Sequence, residues 1–274
     1  MKHLLAIAAA AVMGMAASAS ADCPAGSRRV QATVRKGENL AMVAGRLGVA
    51  ATDLARWNRL REDRLRPGRT LFWCQTRERP GSIGSCGHGR LAGGVSLDRD
   101  GDLRGVGFVI GEGRTRLYGT PQTVSTISAC MRAYRHAYPR GAPFNIGDIS
   151  ARTGGSAPPH VSHQSGRDVD IGFMLKPPQS PGAFDREATP ANLDVEKQWF
   201  LVKCFLDARA TEGIFMEWPV VKTLKAYVDK RPKLRHYARF FPASTPNVIK
   251  ADSDHRTHMH VRFHCPRGDS KCVD

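Results

Sequence analysis

The sequence predicts an α+β protein made of two units, and three observations lead to this prediction. Residues 30–74 read as a strand, two short helices and a strand, which is a small βααβ unit. The rest of the chain mixes amphipathic helical stretches with short alternating segments, a pattern typical of an α+β domain with a central antiparallel sheet. Two of those segments, 168–173 and 258–263, alternate polar and apolar residues, as strands with one buried face do.

The N-terminus predicts export. Lys2 supplies a positive start, residues 4–17 an apolar stretch, and Ala19-Ser-Ala21 a small-residue cleavage site. We therefore expect a cleaved signal peptide over residues 1–21 and a periplasmic or secreted protein. The apolar stretch is too short to predict a membrane anchor, and no other segment is apolar enough to predict a membrane span.

Seven cysteines fit an exported chain, because disulfides persist in oxidising compartments. All seven follow the predicted cleavage site, so an odd one remains. Pairing Cys23 with Cys74 would close the ends of the small unit. We also expect that Cys86 pairs with one of the C-terminal cysteines, Cys265 or Cys272, although spacing alone does not fix connectivity.

The small unit, residues 22–75, has recognisable helix and turn signals. Gly48 is expected to end the first helix, Thr52 or Asp53 to cap the second, and Pro67-Gly68 to turn into the last strand. The apolar face of the first helix has helical spacing and consists of Leu40, Val43, Ala44 and Leu47. Residues 76–85 are rich in Pro, Gly and Ser and predict a linker.

The larger region, residues 86–274, begins with a glycine-rich part suited to short strands and turns. Helical spacing then predicts three helices, over 124–138, 195–210 and 220–228, the last one started by Pro219. The alternation at 144–149 predicts a strand, and Pro158-Pro159 predicts an extended loop ahead of His160.

The two alternating strands predict a metal site. Side chains alternate faces along a strand, so His258 and His260 point the same way while Met259, Val261 and Phe263 enter the core. If the strands are neighbours, His163, Asp170 and His260 surround one metal, with His258 beside it. A catalytic zinc takes three nitrogen or oxygen ligands and keeps one position for water. Asp168 shares the face of Asp170, so the residues alone leave either as the ligand.

Two longer motifs carry a resemblance. Residues 159–171, Pro-His-Val-Ser-His-Gln-Ser-Gly-Arg-Asp-Val-Asp-Ile, and residues 255–262, His-Arg-Thr-His-Met-His-Val-Arg, resemble the penicillin-insensitive murein endopeptidases. These belong to the zinc group of lysostaphin, the D-Ala-D-Ala metallopeptidases and the hedgehog fold. The resemblance implies Zn²⁺ on His163, Asp170 and His260. It also implies that His258 takes a proton from the catalytic water and that His255 helps to hold the transition state.

The sequence allows more than one role for each of three further residues. His160 is either an additional metal ligand, as in some members of the family, or a loop histidine with a local partner. Asp168, if it is not the ligand, supports the site by hydrogen bonding. Arg262 lies on the face of the two histidines, where it either binds a substrate carboxylate or remains a solvated arginine at the strand edge.

The small unit resembles a LysM domain, down to the Trp57-Asn58 pair and the Arg66-Pro67-Gly68 run. The resemblance implies binding to the N-acetylglucosamine units of peptidoglycan or chitin. Trp57 could stack against a sugar ring, but in the LysM pattern a tryptophan at this place is more often a core residue. The plainer alternative is a folded unit that only spaces the larger domain.

Together these predictions describe a secreted zinc peptidase that cleaves peptide cross-links of peptidoglycan. The family resemblance implies that the bond cleaved is the D-alanyl-meso-diaminopimelyl amide. The alternatives are a D,D-carboxypeptidase of the same group and a non-catalytic wall-binding protein with a structural zinc. The formal net charge of +16 favours anionic partners. Peptidoglycan fits the predicted compartment, whereas nucleic acid does not. The oligomeric state stays open.

Overall fold

The computed structural model describes residues 23, 27–47, 49, 51–60, 65–76, 80–97, 108–110, 114–177 and 184–274. Its mixture of helices with a largely antiparallel central sheet confirms the predicted α+β class. The predicted signal peptide and the helix stop at Gly48 lie outside the described residues. Within these ranges, every helix is too short or too polar to cross a lipid bilayer.

The small unit forms a βααβ layer with its own core. Strand β1 (Ser27–Thr33) pairs antiparallel with β2 (Thr70–Thr76), and α1 (Leu40–Leu47) and α2 (Ala51–Asn58) lie between them in sequence. Trp57 is only 7% exposed and belongs to this core, so its ring is not a surface platform for sugar.

Two local devices hold the small unit together. The side-chain amide of Asn58 exchanges hydrogen bonds with the backbone of Phe72, donating to its carbonyl and accepting from its N–H. The disulfide Cys23–Cys74 closes the ends, as predicted. On its other side, α1 packs against helix α3 (Pro121–Ala137) of the larger region.

The larger region opens with two small antiparallel sheets, β3 (Gly81–Gly84) with β4 (Gly89–Ala92) and β5 (Val95–Ser96) with β7 (Tyr118–Gly119). Strand β3 lies inside the segment predicted as a linker. It is held there because the Ser82 N–H donates to Asp269 and the backbone of Gly84 bonds to Lys271 and Val273.

A six-stranded sheet forms the centre, in the order β11, β10, β12, β9, β8, β6. The three central pairings are antiparallel, whereas the outer pairs β10/β11 and β6/β8 are parallel. The strands are β6 (Phe108–Ile110), β8 (Phe144–Ile146), β9 (Asp168–Gly172), β10 (Thr211–Met216), β11 (Ile249–Ala251) and β12 (His258–Phe263).

Helices cover the apolar face of this sheet. Helix α3, α4 (Val195–Asp207), α5 (Trp218–Asp229) and the 3-10 helix Pro232–Phe240 contribute to one core with the inward residues of β9 and β12. Met259, Val261 and Phe263 are completely buried there, as the alternation predicts. The opposite, polar face of the same strands carries the candidate site.

Three disulfides and one free thiol account for the seven cysteines. Cys130–Cys204 ties α3 to α4, and Cys265 pairs with Cys272. The expected pairing of Cys86 with a C-terminal cysteine is therefore wrong. The two C-terminal cysteines close their own turn, which leaves Cys86 buried and unpaired.

Candidate metal centre

Strand register lines up four side chains on the polar face. Across the sheet, Asp170 of β9 is paired with His260 of β12, His260 with Phe215 of β10, and Phe215 with Lys250 of β11. Residues paired in this way share a face. The ring contact between Phe215 and His260, with centroids 5.4 Å apart, shows that they do.

Three donor atoms form a nearly equilateral triangle at the end of this row. His163 Nε2 lies 3.2 Å from Asp170 Oδ1 and 3.2 Å from His260 Nδ1, and the last two atoms are also 3.2 Å apart. Tetrahedral zinc with metal–ligand distances of about 2.0–2.1 Å separates its ligand atoms by about 3.3 Å. The triangle therefore fits a zinc ion, and Asp170 Oδ1 is buried without a hydrogen-bond partner.

His163 reaches the triangle from the loop ahead of β9. Its backbone is in the left-handed region, with φ of +65°, which is uncommon for a residue other than glycine and points to a functional constraint. Its Nδ1 lies 2.9 Å from the carbonyl oxygen of Ile149. Because a carbonyl only accepts, Nδ1 carries the hydrogen and Nε2 presents its lone pair to the triangle.

Asp168 lies behind His260 instead of in the triangle. Its Oδ1 accepts from His260 Nε2 at 2.9 Å and from Arg262 Nε at 2.8 Å, while its Oδ2 accepts from the backbone N–H of His163. These bonds use both carboxylate oxygens. The alternative that Asp168 is the metal ligand therefore disagrees with the geometry, and Asp170 is the carboxylate that contributes an oxygen to the triangle.

The electrostatics of this buried cluster favour a cation. Burial by itself would raise the pKa of the Asp168 carboxyl, but the contacts with His260 and Arg262 outweigh it and hold that pKa well below its ordinary value. Burial likewise opposes a charge on His260, yet Asp168 and Asp170 raise the pKa of its imidazole to about 9. Among the described residues Arg262 is the arginine that pairs with these two buried carboxylates, so the second negative charge is balanced by a proton on His260 or by a cation in the triangle.

His258 and His255 stand next to the triangle. His258 Nε2 is 3.5 Å from Asp170 Oδ1, and its ring stacks on Phe184 with centroids 5.4 Å apart. Burial lowers the pKa of His258 to about 4, which keeps the imidazole neutral at pH 7. His255 packs against the rings of His258 and His260, and its Nδ1 lies 3.1 Å from Asp252 Oδ1.

His160 is adjacent to the triangle through the other oxygen of Asp170. Its Nδ1 lies 3.8 Å from Asp170 Oδ2, and its Nε2 lies 3.1 Å from Asp148 Oδ2. Ligand atoms of His160, His163 and Asp170 all fall within 4.8 Å of one another. His160 thus has a local partner in Asp148 and also lies close enough to share a metal with His163 and Asp170, so both of its interpretations stay predictions.

Arg262 is partly buried on β12, which lies between β9 and β10 and is therefore not an edge strand. Its Nε is engaged by Asp168, and its guanidinium carbon lies 5.5 Å from the centre of the Phe215 ring. The alternative of a solvated arginine at the strand edge is therefore wrong, because β9 brings Asp168 directly opposite Arg262, whereas the substrate-binding role stays a prediction. Arg262 instead supports the carboxylate that holds His260.

Sequence reasoning missed the aromatic walls of the site. Phe184 lies over Gly172 of β9 and over Gly147, which follows β8. A Cβ on Gly172 would meet its ring at 2.9 Å, so the ring fits because Gly172 has no side chain. Arg114 lies 4.9 Å from the Phe184 centroid and pairs with Asp148. The alternation of β10 was a usable signal for Phe215, whereas Phe184 belongs to a loop without a periodic pattern.

Comparison with known proteins finds relatives for two parts of the chain. The profile of the family described as penicillin-insensitive murein endopeptidase matches residues 82–202, which include His163 and Asp170, and the LysM domain profile matches residues 32–73. A penicillin-insensitive murein endopeptidase of Klebsiella pneumoniae (strain 342) is 30% identical over 213 residues, covering 70% of this chain and 69% of the relative. One from Yersinia pestis bv. Antiqua (strain Antiqua) is 27% identical over 209 residues, or 71% and 70%.

Another relative matches over a short stretch of the chain only. The membrane-bound lytic murein transglycosylase D of Escherichia coli (strain K12) is 51% identical over 39 residues, which cover 14% of this chain and 9% of that protein. Two profiles thus match two parts of one chain, a murein peptidase part and a LysM part. The chain belongs to the penicillin-insensitive murein endopeptidase family and carries a LysM domain.

Proposed function

We propose that this protein is an exported zinc peptidase that hydrolyses the D-alanyl-meso-diaminopimelyl cross-links of peptidoglycan. The observation that carries the proposal is the 3.2 Å triangle of His163 Nε2, Asp170 Oδ1 and His260 Nδ1 with His258 beside it. In this proposal residues 86–274 cut the peptide and residues 22–75 hold the enzyme on the glycan.

His163, Asp170 and His260 would hold the ion. Two imidazoles and one carboxylate are a donor set that suits zinc. When bound, zinc would lower the pKa of a water molecule and polarise the scissile carbonyl. The hydrogen bonds from His163 Nδ1 to Ile149 and from His260 Nε2 to Asp168 fix the tautomers that leave both lone pairs facing the triangle.

His258 is the proposed proton carrier. Its neutral imidazole accepts the proton of the attacking water and delivers it to the leaving amine. Stacking on Phe184 and the contact of its Nδ1 with Thr257 Oγ1, at 3.2 Å, hold the ring so that Nε2 faces Asp170.

His255 and His160 border the same space from two sides. His255, held near Asp252, is the proposed donor to the oxyanion of the transition state. His160, held by Asp148, supports Asp170 through the oxygen that does not belong to the triangle.

The proposed function also implies that the protein works outside the cytoplasm. Murein lies outside the cytoplasm, and three disulfides suit an oxidising environment. A peptidase of this kind uses no serine nucleophile that β-lactams could acylate, so we expect its activity to be insensitive to them.

Digestion of intact sacculi by the purified mature protein tests the proposal. The reaction is run as prepared, with a chelator, and with zinc restored after chelation, and the products are identified by mass spectrometry. Conversion of cross-linked dimers to monomers, lost on chelation and restored by zinc, is the expected result.

Other products would change the assignment. Release of single alanines without loss of cross-links would indicate a D,D-carboxypeptidase. Unchanged sacculi that still retain the protein would indicate a wall-binding protein and would contradict the proposed catalysis.

A further inference from the structure

We propose that Lys250 binds a carboxylate of the substrate next to the scissile bond. The inference rests on the proposed function and assigns part of its specificity to a residue outside the two histidine motifs. Lys250 lies on β11, the edge strand of the central sheet, and neither motif includes it.

The first argument is position. Lys250 continues the row formed by Asp170, His260 and Phe215 across four neighbouring strands, so its side chain stands on the face of the metal triangle. Its Nζ lies 5.4 Å from the centre of the Phe215 ring, and that ring lies 5.4 Å from the ring of His260. One aromatic ring therefore separates the ammonium from a triangle residue.

The second argument is charge. The other basic groups near Phe215 each contact a carboxylate: Arg262 donates from Nε to Asp168, and His255 lies against Asp252. Among the described residues no carboxylate forms an ion pair with Lys250, although Asp252 is only two residues away. Its contact is the Phe215 ring, which attracts the cation and restricts the side chain.

The third argument is the chemistry of the substrate. In the proposed cross-link, the amide nitrogen is attached to a carbon of diaminopimelate that also carries a free carboxylate. A carboxylate so close to the reacting amide must lie near the triangle whenever the amide does. A compact ammonium on a half-buried stem suits this single anionic group, because it needs no fixed bidentate geometry.

The test compares two substrates in the zinc-loaded, full-length enzyme. One is a cross-linked muropeptide dimer with a free carboxylate beside the scissile amide, and the other has that carboxylate converted to a carboxamide. The variant is Lys250→Gln, with Lys250→Arg as the conservative change. Lys222→Gln, at an exposed lysine of α5, is the matched control.

We expect Lys250→Gln to raise KM for the free carboxylate by about 10- to 100-fold, the range of one charge-assisted hydrogen bond, with a smaller effect on kcat. Lys250→Arg should recover part of the loss. On the carboxamide substrate, wild type and Lys250→Gln should have the same KM, and zinc content should not change in any variant.

Two results would overturn the assignment: an equal loss on both substrates, which indicates a structural role, or no loss on either. Failure of the proposed function would look different, because zinc-loaded wild type would then cleave neither dimer, and both proposals would fall together.

Discussion

Asp168 and His260 form the hydrogen bond that sets the geometry of the site, with Oδ1 and Nε2 2.9 Å apart. The same oxygen accepts from Arg262, and the second oxygen accepts from the backbone N–H of His163. One buried carboxylate thus holds two members of the triangle, one through its ring and one through its main chain. Such supporting bonds fix the ring orientation and the tautomer of a metal-binding histidine.

Replacing Asp168 with Asn should weaken zinc binding by about 10- to 100-fold, the usual cost of losing a supporting carboxylate. The amide has the size of the carboxylate but lacks its charge and one acceptor, so it cannot satisfy His260, Arg262 and His163 together. Competition with a chromogenic chelator measures the affinity directly.

Asp229→Asn is the matched control for that experiment, because Asp229 is exposed and pairs with Lys225 on the surface of α5. Its zinc affinity should equal that of wild type. An Asp168→Asn protein that binds zinc as tightly as wild type would show that the hydrogen bond does not position His260.

Replacing His258 with Gln should lower kcat by about 10²- to 10⁴-fold while one zinc per chain is retained, since a proton carrier contributes to rate and not to metal affinity. The turnover rate of a cross-linked muropeptide gives kcat, and mass spectrometry gives the zinc content per chain. His136→Gln, at an exposed position of α3, controls for loss of a histidine elsewhere. Loss of zinc from His258→Gln would instead make His258 a ligand.

The Cys86 thiol should not react with thiol reagents in the folded protein at pH 8. Burial, reinforced by the nearby Asp168 charge, raises the pKa of this thiol from 9.0 to about 12, so the reactive thiolate is scarcely populated. Unfolding without reductant should release one reactive thiol per chain. Rapid labelling of the native protein would contradict both the burial and the assigned disulfides.

The same pKa difference makes stability depend on pH. The thiol of the unfolded chain ionises near 9.0, whereas that of the folded chain ionises near 12, so the folded state binds the proton more tightly. The contribution of Cys86 to stability is therefore complete below pH 9 and falls as pH rises from about 9 to about 12. Cys86→Ser should lack this part of the alkaline decline, as chemical denaturation at several pH values would show.

Removing Cys130–Cys204 should destabilise the protein more than removing Cys265–Cys272. The first bridge spans 74 residues and the second 7, and on loop-entropy grounds the longer closure is worth about 2 kcal/mol more. Denaturant unfolding of the two double Cys→Ala variants measures the difference. Equal losses of unfolding free energy in the two variants would mean that local packing, and not chain entropy, determines how much each disulfide stabilises the protein.

The sequence by itself determined the features that depend on neighbouring residues. The alternation in 168–173 and 258–263 placed Met259, Val261 and Phe263 in the core, because a strand has a side-chain period of two. Helical spacing and turn residues likewise predicted the βααβ unit and the helices of the larger region, with small differences at their ends. The long histidine motifs were specific enough to identify the family.

Only the tertiary structure decided the features that depend on how distant strands are paired. Asp168 and Asp170 share a face, so the choice between them required the register of β9 against β12, and the same register engaged Arg262. Parallel pairing of β10 with β11 brought Lys250 into the row of the site, and the fold left Cys86 without a partner. A local pattern specifies which face a side chain occupies, whereas register specifies which side chain stands opposite it.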